Sequence, residues 1–142
     1  MADLRIFSYL PNPRLWKATI TARICNVAVD IRGAKPPQLP DWLWDFEAHE
    51  LSDDERQQAN TLRTGRTGFS GQLHKTDAFL RAHPFGTVPA AFSPDGAVGI
   101  FESNSIMRAV ARLEEQLHAL DAAEQRLRSA LDTMIACDTD MS

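Results

Sequence analysis

The sequence predicts an α/β fold built on a four-stranded mixed sheet, and three patterns carry that expectation. Residues 4–31 read as strand, helix, strand; residues 76–101 read as a helix and then a strand hairpin; an amphipathic helix begins at Ser103. The order β-α-β followed by α-β-β-α gives a parallel pair with a right-handed crossover and an antiparallel pair beside it.

The first strand is Leu4-Arg5-Ile6-Phe7-Ser8-Tyr9, which alternates well enough to bury one face. Leu10-Pro11-Asn12-Pro13 ends it. Pro13 suits the first turn of a helix, where a missing N–H costs nothing, and Asn12 is its natural N-cap. Through Cys25, Leu15, Ala18 and Ala22 form one apolar stripe, with Trp16, Ile20 and Ile24 beside it. A stripe that broad predicts burial on more than one side. Asn26 can close the helix in a left-handed conformation, and Val27-Ala28-Val29-Asp30-Ile31 follows as the second strand. Further on, Thr76 to Ala82 forms a short helix that His83-Pro84 stops. The segments Ala90–Phe92 and Ala97–Phe101 flank Ser93-Pro94-Asp95-Gly96, a type I turn sequence.

Residues 32–73 interrupt this regularity. Pro36, Pro37 and Pro40 impose an extended entry, and Trp42-Leu43-Trp44-Asp45-Phe46 is the most aromatic stretch. Ser52-Asp53-Asp54-Glu55 matches a capping box before a polar helix reaching Leu62, and Thr64–Gly68 reads as loop. A connection so long is expected to be an insertion with a local core of Trp42, Trp44 and Phe46. The expected organisation is a domain over 1–112 containing this insertion, then a helix and tail over 113–142. In that tail Leu113, Leu117, Leu120, Leu127, Leu131 and Met134 keep heptad spacing, with Glu124 at one seam position. The seam predicts packing on the protein's own sheet, or a homodimer or helical protein partner through 113–134.

Composition narrows the function classes. The chain has 142 residues, 44% hydrophobic and 24% charged, as in an ordinary globular protein. A net charge of −4 argues against nucleic acid as the main partner. The charge is uneven: residues 113–142 set Arg126 and Arg128 against seven acids. No apolar run is long enough to span a membrane. The first residues lack the basic-then-apolar layout of a signal peptide, which points to the cytoplasm. Cys25 and Cys137 form no CxxC, so neither a disulfide framework nor a zinc site is expected. The spacing of His49, His83 and His118 suggests no metal.

Three further motifs are specific in combination. They are His74-Lys75-Thr76-Asp77-Ala78-Phe79-Leu80, Pro84-Phe85-Gly86-Thr87-Val88-Pro89-Ala90 and Phe101-Glu102-Ser103-Asn104-Ser105-Ile106. With these, residues 4–31 and 74–112 resemble the N-terminal, thioredoxin-like domain of glutathione transferases. The His-Lys pair is similar to the phi class. Tyr9-Leu10-Pro11-Asn12-Pro13-Arg14-Leu15-Trp16-Lys17-Ala18 resembles the transferase-like domain of the elongation factor gamma subunit. The resemblance implies a glutathione-binding protein that conjugates the glutathione thiolate to a small electrophile. The alternative it implies is a non-catalytic interaction module, as in the elongation factor subunit. The family's all-helical C-terminal domain is far longer than residues 113–142.

The same resemblance assigns a site. Val88, before a cis Pro89, would offer its backbone N–H and C=O to the cysteinyl unit. Glu102 and Ser103 would hold the γ-glutamyl end, the carboxylate facing the ammonium and the hydroxyl facing the carboxylate. Lys75, with His74, would reach the glycine carboxylate. The position that lowers the thiol pKa falls on Asn12, whose amide N–H can donate to a thiolate, with Ser8 and Tyr9 as alternatives. No metal is implied; glutathione is the cosubstrate.

Overall fold

The structure is a computed structural model that describes residues 2–65 and 68–140. Arg66 and Thr67 of the expected loop, and Met141 and Ser142 of the tail, lie outside the described residues. The elements are β1 (Leu4–Tyr9), α1 (Trp16–Cys25), β2 (Val29–Ala34), β3 (Trp42–Trp44), β4 (His49–Glu50), α2 (Asp53–Arg56), β5 (Leu62–Thr64), β6 (Gln72–Lys75), α3 (Asp77–Ala82), β7 (Ala90–Phe92), β8 (Gly99–Phe101) and α4 (Ser103–Asp140).

The first sheet has the order β2-β1-β7-β8. β1 and β2 are parallel from Leu4↔Val29 to Tyr9↔Ala34, while β7 runs antiparallel to both β1 and β8. This is the mixed thioredoxin-like sheet that the sequence predicts. The crossover starts with Asn12, whose Oδ1 accepts the Arg14 N–H above a short 3₁₀ turn at Pro13–Leu15. It closes at Asn26 in the left-handed region, φ 53°.

Alternation along β1 divides the core. Ile6 points toward α1 and α4, where it joins Leu15, Ala18, Ile106 and Val110. Phe7 points the other way, into a second cluster with Leu39, Trp44, Leu73, Phe79 and Phe92. The expected local core of the insertion is therefore corrected. The inserted strands form a second sheet, β4-β3-β6-β5, and Trp44 packs edge-on against Phe7 at 5.4 Å and Phe79 at 6.1 Å between ring centroids. A sheet with two apolar faces needs cover on both, and the six residues of α3 supply too little of it. Ion pairs add to the join: Arg5 and Arg32 each bridge Asp30 to Glu47, and the Arg5 guanidinium lies 4.1 Å from the Phe46 ring centroid.

Two other expectations change. Trp16, Ile20 and Ile24 are not buried on a second side; all three are exposed on α1. The seam of α4 packs on the protein's own core only as far as Leu117. The helix shows no break at residue 113 and runs 38 residues, so that at 1.5 Å per residue about 34 Å of it projects beyond Leu117. Among the described residues no helix is long and apolar enough to cross a membrane.

Trp44→Ala should lower the unfolding free energy by about 3–5 kcal/mol, the usual cost of truncating a buried aromatic side chain. Deleting residues 36–70 should abolish cooperative unfolding, because it uncovers Phe7 and Phe79. Urea denaturation followed by circular dichroism checks both, and a deletion variant that still unfolds cooperatively would contradict the shared core.

A pH effect follows from His83. Its ring is buried, donates from Nε2 to Ala91 O at 2.9 Å and leaves Nδ1 without a hydrogen-bond partner among the described residues. Burial pushes its pKa below the usual histidine range, an effect partly opposed by the bond to Ala91. The folded state thus binds this proton less readily than the unfolded chain, whose histidine titrates near pH 6.5. Stability present above about pH 6.5 is lost as pH falls toward the folded pKa. His49 has the opposite sign: Glu47 O and the Glu55 carboxylate raise its pKa, so its contribution is present at acid pH and lost as pH rises. His83→Gln should therefore flatten the decline of melting temperature as pH falls below about 6.5, and an unchanged slope would remove His83 from the account.

Candidate functional site

β7 begins only at Ala90, so the segment Gly86–Pro89 before it lies outside the sheet ladder. The Val88–Pro89 bond is cis, as is Leu10–Pro11. Neither the N–H nor the C=O of Val88 has a hydrogen-bond partner among the described residues. Opposite this segment, β8 ends at Phe101 and α4 begins at Ser103, joined by Glu102 at φ 74°. Between them is an open groove of about 440 Å³ lined by Arg14, Phe85, Thr87, Val88, Pro89, Phe101, Glu102 and Ser103.

Glu102, not Ser103, caps α4. Its C=O accepts the Ile106 N–H at 3.0 Å, and its Oε2 accepts the Asn104 N–H at 3.2 Å. That leaves the Ser103 hydroxyl without a hydrogen bond among the described residues. Ser103 itself is largely buried at the base of the groove, on the first helical residue. The start of α4 also presents N–H groups that carry the positive end of the helix dipole. The combination offers one carboxylate, one hydroxyl, helix N-terminal amides and an unpaired strand-like backbone. Such a set can hold an extended zwitterionic peptide.

Other predicted site residues lie elsewhere. Lys75, expected at a ligand carboxylate or in solvent, is buried; its Nζ donates to Gly86 O at 2.6 Å and sits 4.7 Å from the Trp44 ring centroid. His74 is buried too, with Nδ1 2.8 Å from Thr61 Oγ1. Both belong to β6, which the insertion draws into the second sheet. That pairing turns them inward, and neither lines the groove. Gly86 shows why the tether matters: φ is +61°, and a Cβ there would come within 3.0 Å of Lys75 Nζ. The lysine holds the loop whose end is Val88.

The catalytic candidates are also internal. Asn12 is 2% exposed; its Nδ2 donates to Ser8 Oγ at 3.0 Å, while its Oδ1 caps the turn. Ser8 is fully buried, and Tyr9 leans on Phe69 with ring centroids 6.4 Å apart. None of the three lines the groove. Sequence reasoning missed Arg14, which lines it and whose guanidinium makes no hydrogen bond among the described residues. The available signal was its place two residues after the N-cap, on the turn that opens α1. Phe85 and Phe101, stacked edge-on at 5.4 Å, form an exposed aromatic wall. Both cysteines are free thiols and neither lines the groove. Among the described residues no group of three or more His, Cys, Asp or Glu could hold a metal.

The fold and groove define a thioredoxin-like domain with a cis-proline segment on one wall of the groove. Residues 13–113 match the glutathione S-transferase N-terminal domain family, and the chain belongs to it. A 45-residue stretch is 49% identical to elongation factor 1-gamma 3 of Oryza sativa subsp. japonica, covering 32% of this chain and 10% of that protein. A 43-residue stretch is 51% identical to probable elongation factor 1-gamma 1 of Arabidopsis thaliana, covering 30% and 10%. The match thus spans about a tenth of the length of these curated relatives. A structure of the theta class glutathione S-transferase from Xanthomonas axonopodis pv. citri, with glutathione bound, aligns at a TM-score of 0.44 and 18% identity. It covers 82% of this chain and 40% of that one.

Lys75→Met should lose a charge-assisted bond of about 1.5–3 kcal/mol and free the Gly86–Val88 segment. Hydrogen exchange should then speed up at Gly86 and Thr87 while β1 stays protected. Unchanged exchange there would mean that Lys75 does not hold the loop.

Proposed function

We propose that this chain binds glutathione in the groove between Val88 and Ser103. The observation that carries the reading is the Ser103 hydroxyl, left unbonded because Glu102 caps the helix, on the same groove as the unpaired backbone of Val88. In this reading the cysteinyl unit pairs with Val88 N–H and C=O as an added strand would. The γ-glutamyl ammonium faces Glu102, and its carboxylate takes the Ser103 hydroxyl and the first amides of α4. Arg14 supplies the positive charge that favours a thiolate. Conjugation then forms one carbon–sulfur bond as the electrophile's leaving group departs with its electron pair, and the Phe85–Phe101 wall offers apolar contact to an aromatic electrophile. A reducing cytoplasm, where glutathione stays a thiol, suits the reading.

One observation favours the second reading, a transferase-like interaction module that does not turn over. Asn12 and Ser8 are buried and neither lines the groove, so neither reaches a thiol bound there, and Arg14 is left as the cation on the groove. Calorimetric titration with glutathione, paired with a chlorodinitrobenzene conjugation assay, separates the two: heat without turnover selects the module.

Ser103→Ala should raise the glutathione dissociation constant roughly ten- to a hundredfold. Its melting temperature should stay close to that of the parent, since the cap belongs to Glu102. Glu102→Gln keeps an oxygen for the Asn104 N–H but removes the charge, so it too should weaken binding. Parent-like affinity in both variants, or no heat with the parent chain, would overturn the glutathione reading.

A further inference from the structure

α4 presents two faces to the rest of the chain, and only one of them is used by the core. Ile106 and Val110 are buried there, with Leu113 and Leu117 packed against that cluster. The neighbouring stripe is Ser105, Arg108, Ala109, Arg112, Leu113 and Gln116, spaced at i, i+3, i+4, i+7, i+8 and i+11. It forms one wall of a cavity of about 580 Å³. Leu4 at the start of β1, Pro94 in the hairpin turn, Val98 and Ile100 form the other wall. None of these residues lines the groove at Val88, so the cavity stands apart from the glutathione reading.

We propose that this cavity is a second binding site, and that its ligand is an aliphatic carboxylate of the fatty-acid type with a chain of medium length. Size permits it, since small-molecule sites run from about 300 to 1,000 Å³. The apolar lining is aliphatic throughout, from Leu4, Pro94, Val98, Ile100, Ala109 and Leu113, with no aromatic ring among the described residues. Such a surface suits a flexible hydrocarbon chain, whereas the Phe85–Phe101 wall of the groove suits a ring. Charge sets the head group. Arg108 and Arg112 are exposed and stand about 6 Å apart along the helix. Neither makes a hydrogen bond or ion pair among the described residues. Two guanidinium forks at that separation can take both oxygens of one carboxylate while their stems lie along its chain. The acids nearby have other partners or face elsewhere. Asp3 lines the cavity, but its Oδ2 accepts the Ala28 N–H at 2.9 Å. Asp95 Oδ1 accepts the Ser93 hydroxyl and the Ala97 N–H, and Glu114 lies beside Cys25. Glu115, three residues after Arg112, does not line the cavity.

Calorimetric titration of the 142-residue chain with dodecanoate tests this. One ligand should bind per chain, and decanoate, two methylenes shorter, should bind roughly tenfold more weakly. Changing both arginines at once, Arg108→Gln with Arg112→Gln, should raise the dodecanoate dissociation constant roughly tenfold or more. Val98→Asp puts an acid on the aliphatic wall at a residue that is 58% exposed. It should weaken binding as much and leave the circular dichroism spectrum unchanged. Phe85→Ala, in the groove, should leave the dissociation constant as it is. Dodecyltrimethylammonium carries the same chain on a cation and should bind far more weakly. No saturable heat with dodecanoate, parent-like affinity in the double arginine variant or in Val98→Asp, or equal binding of the cation would each overturn the proposal. Weaker dodecanoate binding in Phe85→Ala would overturn it too, by placing the ligand in the groove.

Discussion

Phe7 and Ile6 sit side by side on β1, and burying both is the constraint on which the other elements depend. Successive strand residues face opposite sides, so a strand with two apolar neighbours needs cover on each. α1 and α4 cover Ile6. The cover for Phe7 comes from α3 and from the inserted strands through Trp44, Leu39 and Leu73. The insertion is thus part of the sheet's packing, and the ion pairs of Arg5 and Arg32 with Asp30 and Glu47 fasten it to β1 and β2.

That packing also shapes the groove. Because β6 pairs with β3 and β5, Lys75 is turned inward and can hold Gly86 O from behind. The segment is kept in place at Gly86, which leaves the Val88 N–H and C=O unused among the described residues. On the other wall, Glu102 takes the capping role that a serine at a helix start usually fills, and the Ser103 hydroxyl is left for something else. Two substitutions of partner, one buried and one at a helix end, leave polar groups facing the same space.

The tail follows a different logic. Its seam is continuous with the face that packs through Val110, Leu113 and Leu117, so the same heptad spacing serves core and projection alike. What changes along it is only whether protein lies opposite. Beyond Leu117 none does among the described residues, and the leucines that would be core elsewhere stand in solvent beside acids.

The sequence alone determined the order of elements, the parallel and antiparallel pairings of the main sheet, and the membership of Val88, Glu102 and Ser103 in one family-like motif set. Those features are local. Proline and asparagine fix the ends of α1, period-two alternation marks β1, and Ser-Pro-Asp-Gly turns the hairpin. Tertiary structure decided what local pattern cannot hold. Whether Trp44 packs on its own segment or under Phe7, whether Lys75 faces outward or inward, and whether Trp16, Ile20 and Ile24 are covered all depend on which surface arrives opposite. The exchange of capping from Ser103 to Glu102 is of the same kind. Either residue can accept the helix amides, and Glu102, standing before the first helical residue at φ 74°, is the one that does.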